Sequence, residues 1–196
     1  MGTYNRKTRE ERLQEIRQAA LKVFLDKGYR NTTMEDIVAG TSLSKGGLYH
    51  YYGSTKEIIF DIMRYGNKRY FDEIELTGNG SKEEICALLS ETAINRIVQK
   101  TDERKLYLMF SYEILYDHDF EKLFLELQAE SLNLLNRQIR TMSGFSISDQ
   151  GKQLFISRII NALLFAQNLY SDSSVFSEQR TALFNILYKL FLDSLE

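Results

Sequence analysis

The chain has no proline in 196 residues, a single cysteine, two histidines and no apolar run approaching the roughly eighteen residues needed to cross a bilayer. Each shortage excludes something. Without proline nothing interrupts the backbone hydrogen-bond ladder of a helix, and Leu, Ile, Lys and Glu are abundant, so helices are expected throughout. No window alternates like a strand for long, and the expected fold class is all-α. One cysteine cannot form an internal disulfide. Cys86 lies beside Ile85, Leu88 and Leu89, which suits a small buried apolar thiol, with a redox sensor as the other reading. His50 and His118 lack any helical ligand spacing, so no metal site is expected. There is no glycine-rich phosphate loop, no nucleophile elbow and no Ser/His/Asp or Cys/His set tied to a local motif. Enzymatic readings and cofactors are left without support. The opening residues, Met1 to Lys7, carry no apolar segment of the kind that directs export, and a soluble, cytoplasmic protein without membrane contact is expected.

Net charge is close to neutral at −2, but it is unevenly spread. Residues 1–53 hold nine Lys/Arg against six Asp/Glu, and the remainder holds sixteen against twenty-one. A basic head on an acidic body is the asymmetry expected when one end meets phosphates. Arg6, Lys7, Arg9 and Arg12 can reach a nucleic-acid backbone or minor groove, or can form a solvated tail.

Within that head, Thr33 is placed to cap a short helix whose apolar side is Met34, Ile37, Val38 and Thr41. Ser44 is placed to cap a second short helix that turns Leu48 and Tyr52 inward. The outer side of this second helix then carries Lys45, Gly46, Gly47, Tyr49, His50 and Tyr51. A cation, two residues without bulk and several hydroxyl or imidazole donors suit approach to a major groove and its flanking phosphates. The pattern is that of a helix-turn-helix.

The flanks extend the pattern. Leu13, Ile16, Ala19, Ala20, Val23 and Phe24 repeat at three and four, giving an amphipathic first helix that ends at Gly28 before Tyr29 and Arg30. After the second short helix, Gly53-Ser54-Thr55-Lys56-Glu57 opens another through Ile58, Ile59, Ile62 and Met63. Over residues 9–63 this string, with Gly28-Tyr29, Thr33, Asp36-Ile37, Leu43-Ser44, Leu48-Tyr49, Tyr52 and Lys56-Glu57, resembles the DNA-binding domain of TetR-type transcriptional regulators. The resemblance implies a three-helix DNA-binding domain over residues 1–53 and a larger helical ligand-binding and dimerisation domain over residues 54–196. It implies a homodimer on double-stranded operator DNA, acting as a repressor released by a small-molecule inducer. Thr33, Ser44, Lys45, Gly46, Gly47, Tyr49, His50 and Tyr51 are the implied DNA contacts, with Tyr49 and Tyr51 on the backbone. The chain departs from the pattern where Ser42 stands in place of a glycine and Thr55 in place of a lysine; Lys56, one residue later at a helix N-terminus, can supply that charge to a phosphate. Two other readings compete: a ligand-independent helical DNA-organising protein, and a helical interaction module.

Beyond the head the breaks mark a fourth helix over 54–74, a turn at Thr77-Gly78-Asn79-Gly80, and a capping-box helix opened by Ser81 and Glu84. Further helices are expected over 102–116, 119–142, 149–171 and 176–195. The last two are apolar on more than one side, and in TetR-like proteins such helices form a four-helix interface with a twin subunit. Ile156, Ile160, Leu164, Phe184 and Leu187 are the candidate interface residues. Over 102–142 an aromatic stripe with few polar neighbours suits a ligand pocket, for which Tyr107, Phe110 and Glu113 are the candidates. Glu113 facing an apolar cavity would select a cation, and an apolar inducer is the other choice; the same stripe is also what an ordinary core needs.

Overall fold

The computed structural model describes residues 7–73, 80–170 and 174–196, and every regular element among them is helical. In chain order these are α1 (Arg9–Lys27), α2 (Met34–Ala39), α3 (Lys45–Tyr49), α4 (Thr55–Glu73), α5 (Lys82–Val98), α6 (Asp102–Glu113), α7 (His118–Ser143), α8 (Gln150–Leu169), α9 (Val175–Glu178) and α10 (Arg180–Leu192), with a single 3-10 turn at Tyr29–Asn31. Arg6, the turn at Thr77-Gly78-Asn79 and the expected end of the eighth helix at residue 171 lie outside the described residues. Among the described residues no helix is long and apolar enough to cross a membrane.

The helix starts follow from capping chemistry. Thr8, Thr33 and Ser81 each accept a hydrogen bond from the backbone three residues on, and Glu11, Asp36 and Glu84 reach back to the capping residue. Gly28 ends α1 at φ +79°, a left-handed φ that a side chain would strain, while its N–H donates to the Phe24 carbonyl at 2.8 Å. α6 stops at Glu113, short of Tyr116, because the next amides turn back: Tyr116 N–H donates to the Glu113 carbonyl and Leu115 N–H to Tyr112. The expected last helix is divided, with Gln179 at φ −95°, ψ 26° standing between α9 and α10.

The contacts divide the chain into two compact units. The first comprises residues 1–67 and 102–123, and so holds α1 to α3, most of α4, α6 and the start of α7. This unit is larger than residues 1–53. Ile16, Ala20, Phe24, Ile37, Leu48, Ile58 and Ile59 are buried in it. A ring cluster closes it, with Phe120 5.0 Å from Phe60, 5.3 Å from Phe110 and 5.1 Å from Tyr29. The second unit comprises residues 68–101 and 124–196, where α5 packs against α8 and α10. Its core is largely aliphatic: Ile85, Leu89, Ile94, Ile97, Ile139, Ile147, Ile156, Leu183, Leu187 and Phe191. Cys86 is buried in the same core, and that burial pushes its thiol pKa up. Asn136 holds the loop after α7 by donating to the Ile147 carbonyl and accepting from its N–H at 2.9 Å.

Candidate nucleic-acid interface

α2 and α3 are too short to hold together by their own hydrogen bonds, so their positions are set by side chains that reach into the first unit. Met34 and Ile37 from α2, Leu48 from α3 and Tyr52 just beyond it are buried. The Tyr52 hydroxyl donates to Asp61 on α4 at 2.6 Å, and Asp61 also accepts from the Arg17 guanidinium on α1 at 2.7 Å. Burial and the Asp61 hydrogen bond together push the Tyr52 pKa up. Arg17 further binds Glu10 at 2.9 Å and lies 4.1 Å from the Tyr65 ring centre. A nearly buried arginine so fully partnered ties α1, α4 and the end of α3 into one frame.

The turn between α2 and α3 is built without glycine at Ser42. Its N–H donates to Glu15 at 2.7 Å and its hydroxyl accepts from Arg12 at 2.6 Å, so two residues of α1 fix a turn residue whose φ is not positive. Burial opposes the charge on Glu15, but hydrogen bonds from Ser42, Lys7 and Arg12 outweigh it and bring its pKa down to about 2.

With Leu48 and Tyr52 fixed inward, Lys45, Gly46, Tyr49 and His50 are exposed, Gly47 and Tyr51 are partly covered, and Ser44 caps the helix by accepting from the Gly47 N–H at 3.1 Å. Gly46 is informative. A Cβ there would meet nothing within 4 Å, and its φ is not positive, so neither space nor backbone geometry inside the chain requires glycine. Glycine in a helix costs about 1 kcal/mol relative to alanine, a cost that close approach by another molecule would offset. Lys45 lies 2.5 Å from Glu35 on α2 and 5.9 Å from the Tyr49 ring centre. The His50 and Tyr51 rings meet edge to face at 5.5 Å.

Two of the sequence candidates are engaged elsewhere. The Thr33 hydroxyl accepts from the Asp36 N–H and donates to its carboxylate at 2.8 Å, so its polar capacity goes into the α2 cap. Lys56 donates to Asp117 at 2.8 Å and Asp119 at 2.5 Å at the α6–α7 turn, with Phe120 5.6 Å away. Burial of Lys56 opposes its charge, and these two carboxylates more than restore it, raising its pKa. In the place of the expected lysine, Thr55 hydrogen-bonds the half-buried Tyr29 phenol.

The candidate ligand residues belong to the first unit. Phe110 is fully buried in the ring cluster, Tyr107 is half-buried, and the buried Glu113 carboxylate accepts both its hydrogen bonds from Arg30, at 3.0 and 3.1 Å. Arg30 in turn lies 4.4 Å from the Tyr116 ring centre; sequence reasoning missed the Arg30–Glu113 pair because its partners are 83 residues apart. The candidate interface residues behave alike: Ile156, Leu164 and Leu187 are buried within the chain itself, and Ile160 and Phe184 pack against the core that holds Ile156 and Leu187. The large apolar residues left exposed on α8 and α10 are Phe155, Leu169 and Ile186.

A capped helix pair held by α1 and α4, with one small-residue, cationic outer face, defines a helix-turn-helix domain in an all-helical chain. The family of bacterial regulatory proteins called tetR matches residues 16–62, so the helix-turn-helix region is similar to the DNA-binding domain of TetR-family regulators. The repressor KstR2 of Mycobacterium tuberculosis is 32% identical over 69 residues, which are 33% of this chain and 34% of KstR2. The matched stretches span only about a third of the curated relatives' length. The fold extends further. Salmonella enterica GusR superposes with a TM-score of 0.70 at 20% identity, covering 95% of this chain and 97% of GusR. The multidrug-binding protein EbrR, in complex with malachite green, gives 0.68 at 15% identity, covering 92% and 98%.

Proposed function

We propose that the protein is a homodimeric transcriptional repressor that binds operator DNA through α3 and is released by a small apolar or cationic ligand. The observation that carries the reading is the outer face of α3: Lys45, Gly46, Tyr49 and His50 are exposed on a helix whose inner side is locked by Leu48 and the Tyr52–Asp61 hydrogen bond. Such a helix meets a major groove without rearrangement, and the open space at Gly46 lets the backbone approach. Repression is the simplest consequence of occupancy, and KstR2 is a repressor. The malachite green complex of EbrR supports a ligand of this class. For dimerisation we assign the stripe Phe155, Ile159, Ala162, Ala166 and Leu169 on α8, whose spacing of three and four residues leaves one face apolar and incompletely covered.

A genome-wide binding map of the full chain tests the reading. A few discrete sites near promoters, each bound roughly tenfold less tightly by Lys45→Ala, are expected. Dense binding along the chromosome would favour a DNA-organising protein instead. In the same preparations Phe155→Glu should sediment as a monomer of unchanged helicity, while a wild-type monomer at micromolar concentration would remove the dimer.

A further inference from the structure

Glu35 and Lys45 face each other across the turn between α2 and α3. The carboxylate Oε1 lies 2.5 Å from the ammonium Nζ, and both side chains are more than half exposed. Lys45 is the first residue of α3, where the positive end of the helix repels a cation, and two glycines follow it, so its own helix offers little to hold it. The Tyr49 ring, 5.9 Å from the ammonium, and the Glu35 carboxylate are its partners. An ion pair this exposed adds little to stability, so its consequence lies in where it keeps the charge.

We propose that Glu35 is a positioning residue that holds the Lys45 ammonium off the DNA phosphates and so lowers sequence-independent binding; the inference rests on the DNA contact proposed above. Phosphates are present at every site, and neutralising them supplies most non-specific affinity. A lysine already paired with a carboxylate releases no counterion when it nears a phosphate unless the pair opens. That cost falls on all sites alike, whereas base-edge contacts offset it only at the correct one. The hydrogen bond from Lys45 lowers the Glu35 pKa and the same bond raises that of Lys45, so the pair stays charged near neutral pH.

The test uses the full chain and a short random-sequence duplex, titrated between about 50 and 200 mM salt. Glu35→Gln should bind more tightly than wild type, with a salt slope steeper by about one, which makes its gain roughly threefold larger at the low-salt end. With Lys45→Ala as its own reference, Glu35→Gln added to it should bring neither tighter binding nor a steeper slope. Thermal unfolding should be the same in all four proteins, since both positions are exposed. A Glu35→Gln gain of equal size in the Lys45→Ala background would mean plain repulsion by the carboxylate and would overturn the positioning role. An unchanged slope in Glu35→Gln would overturn it as well. A wild-type protein that binds no duplex even at the lowest salt would sink the DNA-binding reading itself, an outcome distinct from either.

Discussion

In the unit that carries the helix-turn-helix, charged groups bridge distant parts of the chain: Arg17 joins Glu10 to Asp61, Arg30 holds Glu113, and Lys56 holds Asp117 and Asp119. In the other unit Arg180 also reaches Glu91 across 89 residues, but the buried set that joins α5 to α8 and α10 is mostly Ile and Leu. The difference is one of direction. Ion pairs and ring contacts fix orientation as well as distance, whereas aliphatic contacts reward burial with little angular preference. A short recognition helix needs the first kind of support, because an error of an ångström on its outer face displaces every groove contact. A unit whose helices need only be brought together is served by the second.

The largest expected effect tests whether α6 belongs energetically with the recognition helices. Phe110 is fully buried against Phe60 and Phe120, and Phe110→Ala should cost about 3–5 kcal/mol in denaturant unfolding. Hydrogen exchange should then quicken first in α1 and α4. Leu187→Ala, at a fully buried site of the second unit, should cost about 2–5 kcal/mol and quicken α5 and α8 instead. Equal loss of protection everywhere in both variants would mean that the two units unfold as one, and the comparison would fail.

A smaller effect separates the two ion-pair sites within the first unit. Arg30→Ala leaves the Glu113 carboxylate, 9% exposed, without its donor and should cost about 1–3 kcal/mol. Lys56→Ala strands only Asp117 and Asp119, whose side chains are 38% and 66% exposed, so water replaces the lost partner and the loss should be smaller. Urea midpoints in one buffer decide the order, and a reversed order would show that the Arg30 contact orients without stabilising.

Much of this arrangement is legible in the sequence where it is local. The caps at Thr33, Ser44 and Ser81 form as their spacing predicts, as do the buried sides of α2 and α3, because a cap or an apolar stripe needs only residues three or four apart. The resemblance to TetR-type DNA-binding domains follows from the same short-range pattern. Long-range partners leave no such trace: Arg30 and Glu113 are 83 residues apart, and Lys56 and Asp117 are 61 apart. Lys56 looks available for a phosphate in sequence and is occupied in the structure for this reason. The ambiguity on α8 has another origin. Two adjoining apolar stripes satisfy helical periodicity equally, and which of them faces the chain's own core depends on α5, a distant segment. Ile156 is taken by that core and Leu164 is also buried, leaving Phe155 and Leu169 outside.

The smallest expected effect concerns acid. Folding holds Glu15 and Asp36 near pKa 2, against ordinary values of 4.5 and 3.8. For Glu15, burial opposes this and is outweighed by donors from Ser42, Lys7 and Arg12; for Asp36, Lys27 contributes most, followed by the Thr33 cap. Because both pKa values are depressed in the folded chain, the stabilisation is complete above the ordinary values and drains away as pH falls from about 5 toward 2. Both carboxylates lie in the first unit, where Glu15 fixes the turn through Ser42 and Asp36 completes the cap of α2. Acid should therefore loosen the helix-turn-helix, and circular dichroism with exchange labelling should find α2 and α3 losing protection between pH 4 and 2 at ionic strengths where α5 and α10 keep theirs. Glu15→Gln retains the shape but not the titration, so its stability at neutral pH should be lower and its fall on acidification shallower than in wild type. A Glu15→Gln protein with the same slope as wild type over this window would show that Glu15 does not link the turn to pH, and the contrast between the units would then rest on Asp36 and the arginine pairs alone.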